Sequence, residues 1–251
     1  MQGFAAVGAH HAVLAAHLGW RPTLVVLALV LAAVTLPLRW LCLTPPWSPH
    51  HGHTRERGAT HIRAVAGSRA FALLTAASCL TALAIYGATS NLVPLLVDRG
   101  VDGRTAATVL GLCGAGQLLG RLGYPALARR THPPARTAVV MSTACLAAVL
   151  LAAVPGPLPM LVGVSVFAGA ARGALTLVQA TAVSDRWGTR DFATLNALAC
   201  TPAALAVALG PATGTFLANS VGGYPTACAL LGCAAAFGAL LALGTKVDRV
   251  L

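Results

Sequence analysis

The chain has 251 residues, 57% of them hydrophobic and only 9% charged, with a mean hydropathy of +0.77. A soluble domain carries about 25% charged residues, so this chain has too little polar surface to coat a water-soluble globule, which argues against a soluble enzyme. Six acids against 17 Lys and Arg give a net charge of +11. That is the sign of a nucleic-acid binder, but the bases are spread between long apolar runs and form no basic helix face, so nucleic acid is not expected as a partner.

A bilayer core about 30 Å thick is crossed by roughly 20 apolar residues of helix. The chain opens on a short apolar stub, Phe4–Leu18, interrupted by His10, His11 and His17; it lacks the basic start and small-residue end of a cleavable signal peptide. Seven longer stretches follow, at Leu24–Leu43, Phe71–Val97, Thr105–Leu127, Thr137–Val154, Leu158–Val183, Ala193–Ala218 and Thr226–Gly244. Backbone polar groups in lipid must be paired internally. The stretches lack the period-two alternation of barrel strands, so they predict helices. Turns are marked by Asp98-Arg99-Gly100-Val101-Asp102-Gly103, by Pro155-Gly156-Pro157 and by Gly222-Gly223-Tyr224-Pro225. The one long connection, residues 44–69, is rich in Pro, His and Arg and reads as a flexible basic linker and the chief boundary.

Basic residues set the orientation. Of the 17, 13 fall in one set of alternate connections, three (Arg21, Arg99 and Arg104) in the other, and Arg172 lies inside a span. Lys and Arg accumulate in cytoplasmic loops, which places the linker and the C-terminus in the cytoplasm. Sixteen of the bases are Arg, and with heavy Ala, Gly and Pro use this suggests a GC-rich bacterial genome and hence an inner, plasma membrane.

Polar residues are unevenly shared among the spans. Phe71–Val97 carries Thr75, Ser78, Thr81, Tyr86, Thr89, Ser90 and Asn91, and Leu158–Val183 carries Ser165, Arg172, Thr176, Gln179 and Thr181. Thr137–Val154 and Thr226–Gly244 are nearly apolar. A helix apolar all round can face lipid, whereas a polar stripe calls for a partner or a cavity, so the reading is a bundle with a polar interior and two peripheral spans. Arg172, near mid-span, costs roughly 2.5–3.5 kcal/mol to insert and must face inward. None of the six acids lies within a span to pair with it. It therefore reads either as an anion-binding residue in a cavity or as an Arg tied to carbonyls, Gln179 or Gln117.

No metal or cofactor is implied. The seven cysteines form no C-x-x-C pair and read as small apolar packing residues. His50-His51-Gly52-His53 and His61 lack companion ligands. Neither G-x-S-x-G, G-x-x-x-x-G-K nor H-E-x-x-H is present, so no enzyme chemistry has a visible carrier. Gly116/Gly120 and Gly169/Gly173 have the G-x-x-x-G spacing of closely packed membrane helices.

In order and spacing, several segments resemble the second half of a major facilitator superfamily transporter: Leu18-Gly19-Trp20-Arg21-Pro22 and Leu36-Pro37-Leu38-Arg39, Asn91 to Gly100, Gly120-Arg121-Leu122 with Arg129-Arg130, Ala182 to Gly188, and Gly210-Pro211 with Gly214. The 120–130 segment departs from the family's loop motif, with Arg129 where an acid is usual and Pro125 and His132 where glycines are common. The resemblance implies three parts: residues 1–43, the end of the fifth and the sixth helix of a first half; 44–69, the central cytoplasmic loop; and 70–251, a six-helix second half. On that comparison the first four helices are missing and the chain is a truncated carrier. It implies alternating access, with Arg172, Gln179, Asn91, Gln117, Asn196 and Tyr86 as solute-binding candidates in the cavity, and Gly120, Arg121, Arg129 and Arg130 as the cytoplasmic loop motif. The expected fold is an all-α, polytopic membrane helix bundle. The expected function is transport of a small, anionic or carbonyl-bearing solute, in the export direction, with a second half or copy completing the cavity. The alternative is a non-transporting membrane remnant or interaction protein that needs a partner half.

Overall fold

The computed structural model describes residues 20–42, 55–189 and 191–245, and among these it contains nine helices and no strand. The stub with His10, His11 and His17, the His50-His51-Gly52-His53 run, and Arg190, Lys246 and Arg249 lie outside the described residues. The chain divides into two units, residues 1–55 and 56–251.

In the first unit, helix α1 (Trp20–Cys42) is 23 residues, about 35 Å at 1.5 Å per residue, long enough to cross a bilayer. Its apolar side chains, Leu24, Leu29, Leu31 and Val34 among them, are exposed, as suits a helix solvated by lipid.

The second unit holds α2 (Arg55–Ala66), α3 (Arg69–Ser90), α4 (Leu92–Asp98), α5 (Gly103–Arg130), α6 (Pro133–Ala153), α7 (Leu158–Trp187), α8 (Phe192–Val221) and α9 (Tyr224–Leu243). Local chemistry explains the boundaries. Ser68 caps α3, its hydroxyl accepting the Phe71 N–H at 3.3 Å. Asp102 caps α5, one carboxylate oxygen accepting the Arg104 and Thr105 N–H groups at 3.1 Å each. Prolines open α6, α7 and α9, where the missing N–H would have had no helical partner. Gly188 and Gly222 end α7 and α8 at φ 78° and 89°, a left-handed turn that glycine takes without steric cost.

The all-α membrane bundle is present. Six described helices are long and apolar enough to span: α1, α3, α6, α7, α8 and α9. The expected span Thr105–Leu127 is a helix of 28 residues, α5, but its glycines, Gln117 and Arg121 leave it less apolar than the other six. The expected span Phe71–Val97 is interrupted at Asn91, giving α3 and α4. Pro94 has no N–H and its ring crowds the carbonyl four residues back, at Ser90. The basic connection is also not all loose chain. Residues 55–66 form α2, because Ile62, Val65 and Ala66 line one face of an otherwise polar helix. They pack on Phe71, Val183 and Leu195, with Phe71 and Trp187 edge-to-face at 5.5 Å. His61, read as part of a His-rich linker, meets Asp191 at 3.1 Å.

Helix α5 packs along α7, α6 along α9, and α3 against both α8 and α9. The core is aliphatic, with Leu74, Ile85, Leu92, Met141, Leu151 and Leu175 almost wholly enclosed. Lipid tails are as apolar as leucine, so close packing rather than escape from water holds such a core. The α5–α7 seam is tightest. A Cβ added at Gly116, Gly120, Gly169 or Gly173 would lie 1.9–2.2 Å from the carbonyl oxygen of Val166, Ala170, Cys113 or Gln117 respectively. The expectation that α6 and α9 lie outermost needs refining. About half of each spanning window is covered (50% and 44%), whereas only 22% of the α8 window is covered. Leu198, Leu205, Leu209 and Phe216 of α8 are exposed.

Candidate functional site

Arg172 lies halfway along α7 and turns inward toward α3. Its guanidinium carbon is 3.9 Å from the centroid of the Tyr86 ring, and Nη1 donates to the Thr89 hydroxyl at 3.2 Å. Tyr86 and Thr89 are three residues apart and so share a helix face. The Thr89 hydroxyl in turn donates to the Ile85 carbonyl at 2.7 Å, which leaves its oxygen lone pairs toward Arg172. The Nε of Arg172 is buried and has no hydrogen-bond partner. A desolvated cation over an aromatic ring is worth about 2 kcal/mol, comparable with the insertion penalty. The ring therefore holds the charge in place without neutralising it. Neither Gln179 nor Gln117 bonds to Arg172.

Gln179 lies two turns further along α7, about 10 Å away. It borders a small cavity between α3, α7 and α8 together with Ser78 and Cys200. Its Nε2 is buried without a partner, and its main-chain carbonyl faces the Cys200 thiol at 3.8 Å. The same sulfur is 3.7 Å from the Asn196 side-chain oxygen. Gln179 and Asn196 thus meet around one thiol, with an amide donor left over.

Asn91 is fully engaged. Its amide nitrogen donates to the Gly87 and Pro211 carbonyls at 2.8 and 3.1 Å, and its oxygen accepts from the Thr215 hydroxyl at 2.9 Å. It ties the α3–α4 break to α8. Gln117 is half-buried, its main-chain carbonyl packed on Gly173. The candidates therefore form separate groups: Arg172 with Tyr86, Gln179 with Asn196, Asn91 with α8, and Gln117 in the α5–α7 seam. Gly120, Arg121, Arg129 and Arg130 all lie on α5 rather than in a loop, because the helix runs on to Arg130 and only Thr131 and His132 separate it from α6. Gly120 packs on Ala170, and the three arginines are exposed.

Sequence reasoning missed Thr89 as the partner of Arg172, and a charged knot at the end of the bundle where α6 begins. Arg136 is only 7% exposed. It is paired with Asp185 and lies over the Tyr124 ring at 5.6 Å, while the Tyr124 hydroxyl meets that of Thr181 at 2.7 Å. Arg186 donates to the Thr137 and Thr245 hydroxyls at 2.9 and 3.0 Å. From sequence alone these arginines count only as loop bases. The available signal was the opposite charge of Arg136 and Asp185 at adjoining ends of consecutive antiparallel helices. At the other end, Arg99 donates to the Leu151 and Ala152 carbonyls at 2.5 and 3.1 Å, a cation at a helix C-terminus. Burial holds the Arg99 pKa below the usual arginine value. Cys79, Cys113, Cys145, Cys200, Cys228 and Cys233 are free thiols. Among the described residues no three His, Cys, Asp or Glu side chains gather into a metal site.

A half-desolvated cation on an aromatic platform, with one nitrogen unpartnered between two helices, can bind an anion or a carbonyl oxygen. No curated protein and no solved structure matches the chain. Residues 3–158, more than half of its length, match the family model of the Major Facilitator Superfamily. Members of that family are transporters that carry small solutes across the bilayer. With helices of spanning length and this family match, the chain is a multi-pass membrane protein and belongs to the Major Facilitator Superfamily.

Proposed function

We propose that the chain forms part of an alternating-access carrier, not an enzyme, and that Arg172 on its Tyr86 platform recognises a small anionic or carbonyl-bearing solute. The observation that carries this reading is the unpartnered Arg172 Nε beside a guanidinium stacked rather than ion-paired. Gln179 and Asn196 add neutral polar contacts, Tyr86 shapes the platform, Gln117 lies in the α5–α7 seam on the other side of α7, and Asn91 positions α8. Residues 70–251 supply the six-helix second half, 44–69 the connection, and 1–43 the end of a first half. The largely uncovered α8 face supports a second half or copy as the missing wall of the cavity. The 13-to-3 distribution of bases supports a plasma-membrane topology with the linker and C-terminus in the cytoplasm.

The test is solute binding and flux by the full chain in proteoliposomes, scored with a panel of small organic anions and neutral analogues in both directions. A charge-assisted hydrogen bond is worth about 1.5–3 kcal/mol, so Arg172→Gln should weaken binding of the best anion roughly 10- to 100-fold. Arg172→Lys should recover only part of it, because a point charge lacks the planar fork. Unchanged affinity in Arg172→Gln with normal insertion would remove the residue from the site. Full flux by the chain alone would remove the need for a separate second half, and the same flux at one copy per vesicle would remove the need for a second copy.

A further inference from the structure

Two apolar grooves run down opposite sides of α6. One lies between α6 and α9 and is bordered by Ala135, Ser142 and Leu146 of the first and Leu240 and Leu243 of the second. The other lies between α5, α6 and α7, bordered by Tyr124, Leu127, Phe167 and Ala170. Val139 and Thr143 of α6 border both, so they form the ridge that separates them. Val139 is 42% exposed, and the Thr143 hydroxyl is spent on the Val140 carbonyl at 2.7 Å, so the ridge presents a dry surface. From Ala135 to Leu146 the α6–α9 groove is about 16 Å long at helical rise. One leaflet of a hydrocarbon core is about 15 Å deep.

The mouth of both grooves is the end of the bundle where α6 begins. There Arg129 and Arg130 close α5, both exposed, with exposed His132 beside them. Asp185, an acid at this end of the bundle, is committed to Arg136, and no acid pairs with Arg129 or Arg130 among the described residues. Two apolar channels, one of leaflet depth and one about 10 Å long at helical rise, parted by one ridge and headed by uncompensated cations, match a molecule with two apolar tails and one anionic head.

We propose that α6 carries a binding site for an anionic phospholipid, which straddles the Val139–Thr143 ridge with one acyl chain in each groove and its phosphate toward Arg129 and Arg130. The inference does not rest on transport; it needs only a chain that spans a bilayer. Each tail is enclosed on two sides by protein, and the head is attracted by the same juxtamembrane charge that draws basic segments to anionic leaflets.

Native mass spectrometry of the full chain in detergent, titrated with dioleoyl phosphatidylglycerol or dioleoyl phosphatidylcholine, tests this. One phosphatidylglycerol should be retained at least fivefold more tightly than phosphatidylcholine. Arg129→Gln with Arg130→Gln, both at an exposed helix end, should bring the two lipids level without changing the thermal transition. Arg104→Gln, an exposed base at the opposite end, should leave the preference intact. Single-tailed lysophosphatidylglycerol should be held several-fold more weakly than the two-tailed lipid. Equal retention of the two diacyl lipids, an undiminished preference in the double variant, an equal loss in Arg104→Gln, or equal holding of the single-tailed lipid would each overturn the assignment.

Discussion

Arg136 and Arg172 present the same guanidinium to a nearly dry interior and are satisfied in opposite ways. Arg136 has a carboxylate, Asp185, and an aromatic face; Arg172 has an aromatic face and a single hydroxyl. The first is a closed structural pair. Asp185→Leu leaves the enclosed Arg136 charge without its carboxylate and should cost on the order of 3 kcal/mol, whereas Arg136→Met leaves Asp185 partly in solvent and still beside Arg186 and should cost about 1 kcal/mol. The double variant Arg136→Met with Asp185→Leu should cost clearly less than the sum of the two single changes, read from thermal unfolding in detergent. At the exposed Asp102 cap, the Thr105 hydrogen bond and the neighbouring backbone N–H groups hold the carboxyl below its usual pKa of 3.8. A depressed folded-state value means that the cap stabilises above the unfolded-state value and is lost as pH falls through the folded one. The melting temperature should therefore drop more steeply below about pH 4 in the native chain than in Asp102→Asn, which caps without titrating. The inward direction of Arg172 was legible in the sequence, because an arginine amid apolar residues has no other tolerable orientation. Its partner Thr89 was not. Threonines in membrane helices commonly bond their own preceding turn, and Thr89 does so while also receiving Arg172.

Helices are held by surfaces, and the α5–α7 surface is made of absences. Gly169 and Gly173 leave no room for even one methyl group against the Cys113 and Gln117 backbone. Gly173→Ala must push two helices apart and should destabilise by about 1–3 kcal/mol or more. Gly114→Ala meets nothing within 4 Å and should be neutral or gain up to about 1 kcal/mol from helix propensity. The same thermal scan distinguishes them. The G-x-x-x-G spacing makes this seam readable from the sequence, but it does not say which helix each glycine meets. The break at Asn91 was harder to read, because an unbroken run of apolar residues hides the local effect of Pro94 on Ser90. The α2 helix was obscured for a related reason: its three packing residues, Ile62, Val65 and Ala66, are too few to raise the apolar content of a basic segment.

For the molecule as a whole, the order of the spans was legible because each is punctuated by Pro, Gly or Asp with a defined capping role. The coverage of each helix was not. Apolar composition reports tolerance for lipid, not the number of neighbours, so α8, which carries Thr194, Asn196, Thr201, Thr213 and Thr215, is nonetheless the least covered spanning helix of the second unit. The alternation of bases makes a direct prediction about topology. Single cysteines introduced at Gly52 and Gly156 in a cysteine-free background should react with an impermeant thiol reagent from opposite sides of sealed vesicles. Labelling of both from one side would reverse the assignment of loops. Within the second unit, the Asn91 amide holds the discontinuity between α3 and α4 to the carbonyl of Pro211, one of the two prolines within α8. Two separate weak points are thereby geared together. Flexing one column at its joint must carry the other with it or break this hydrogen bond.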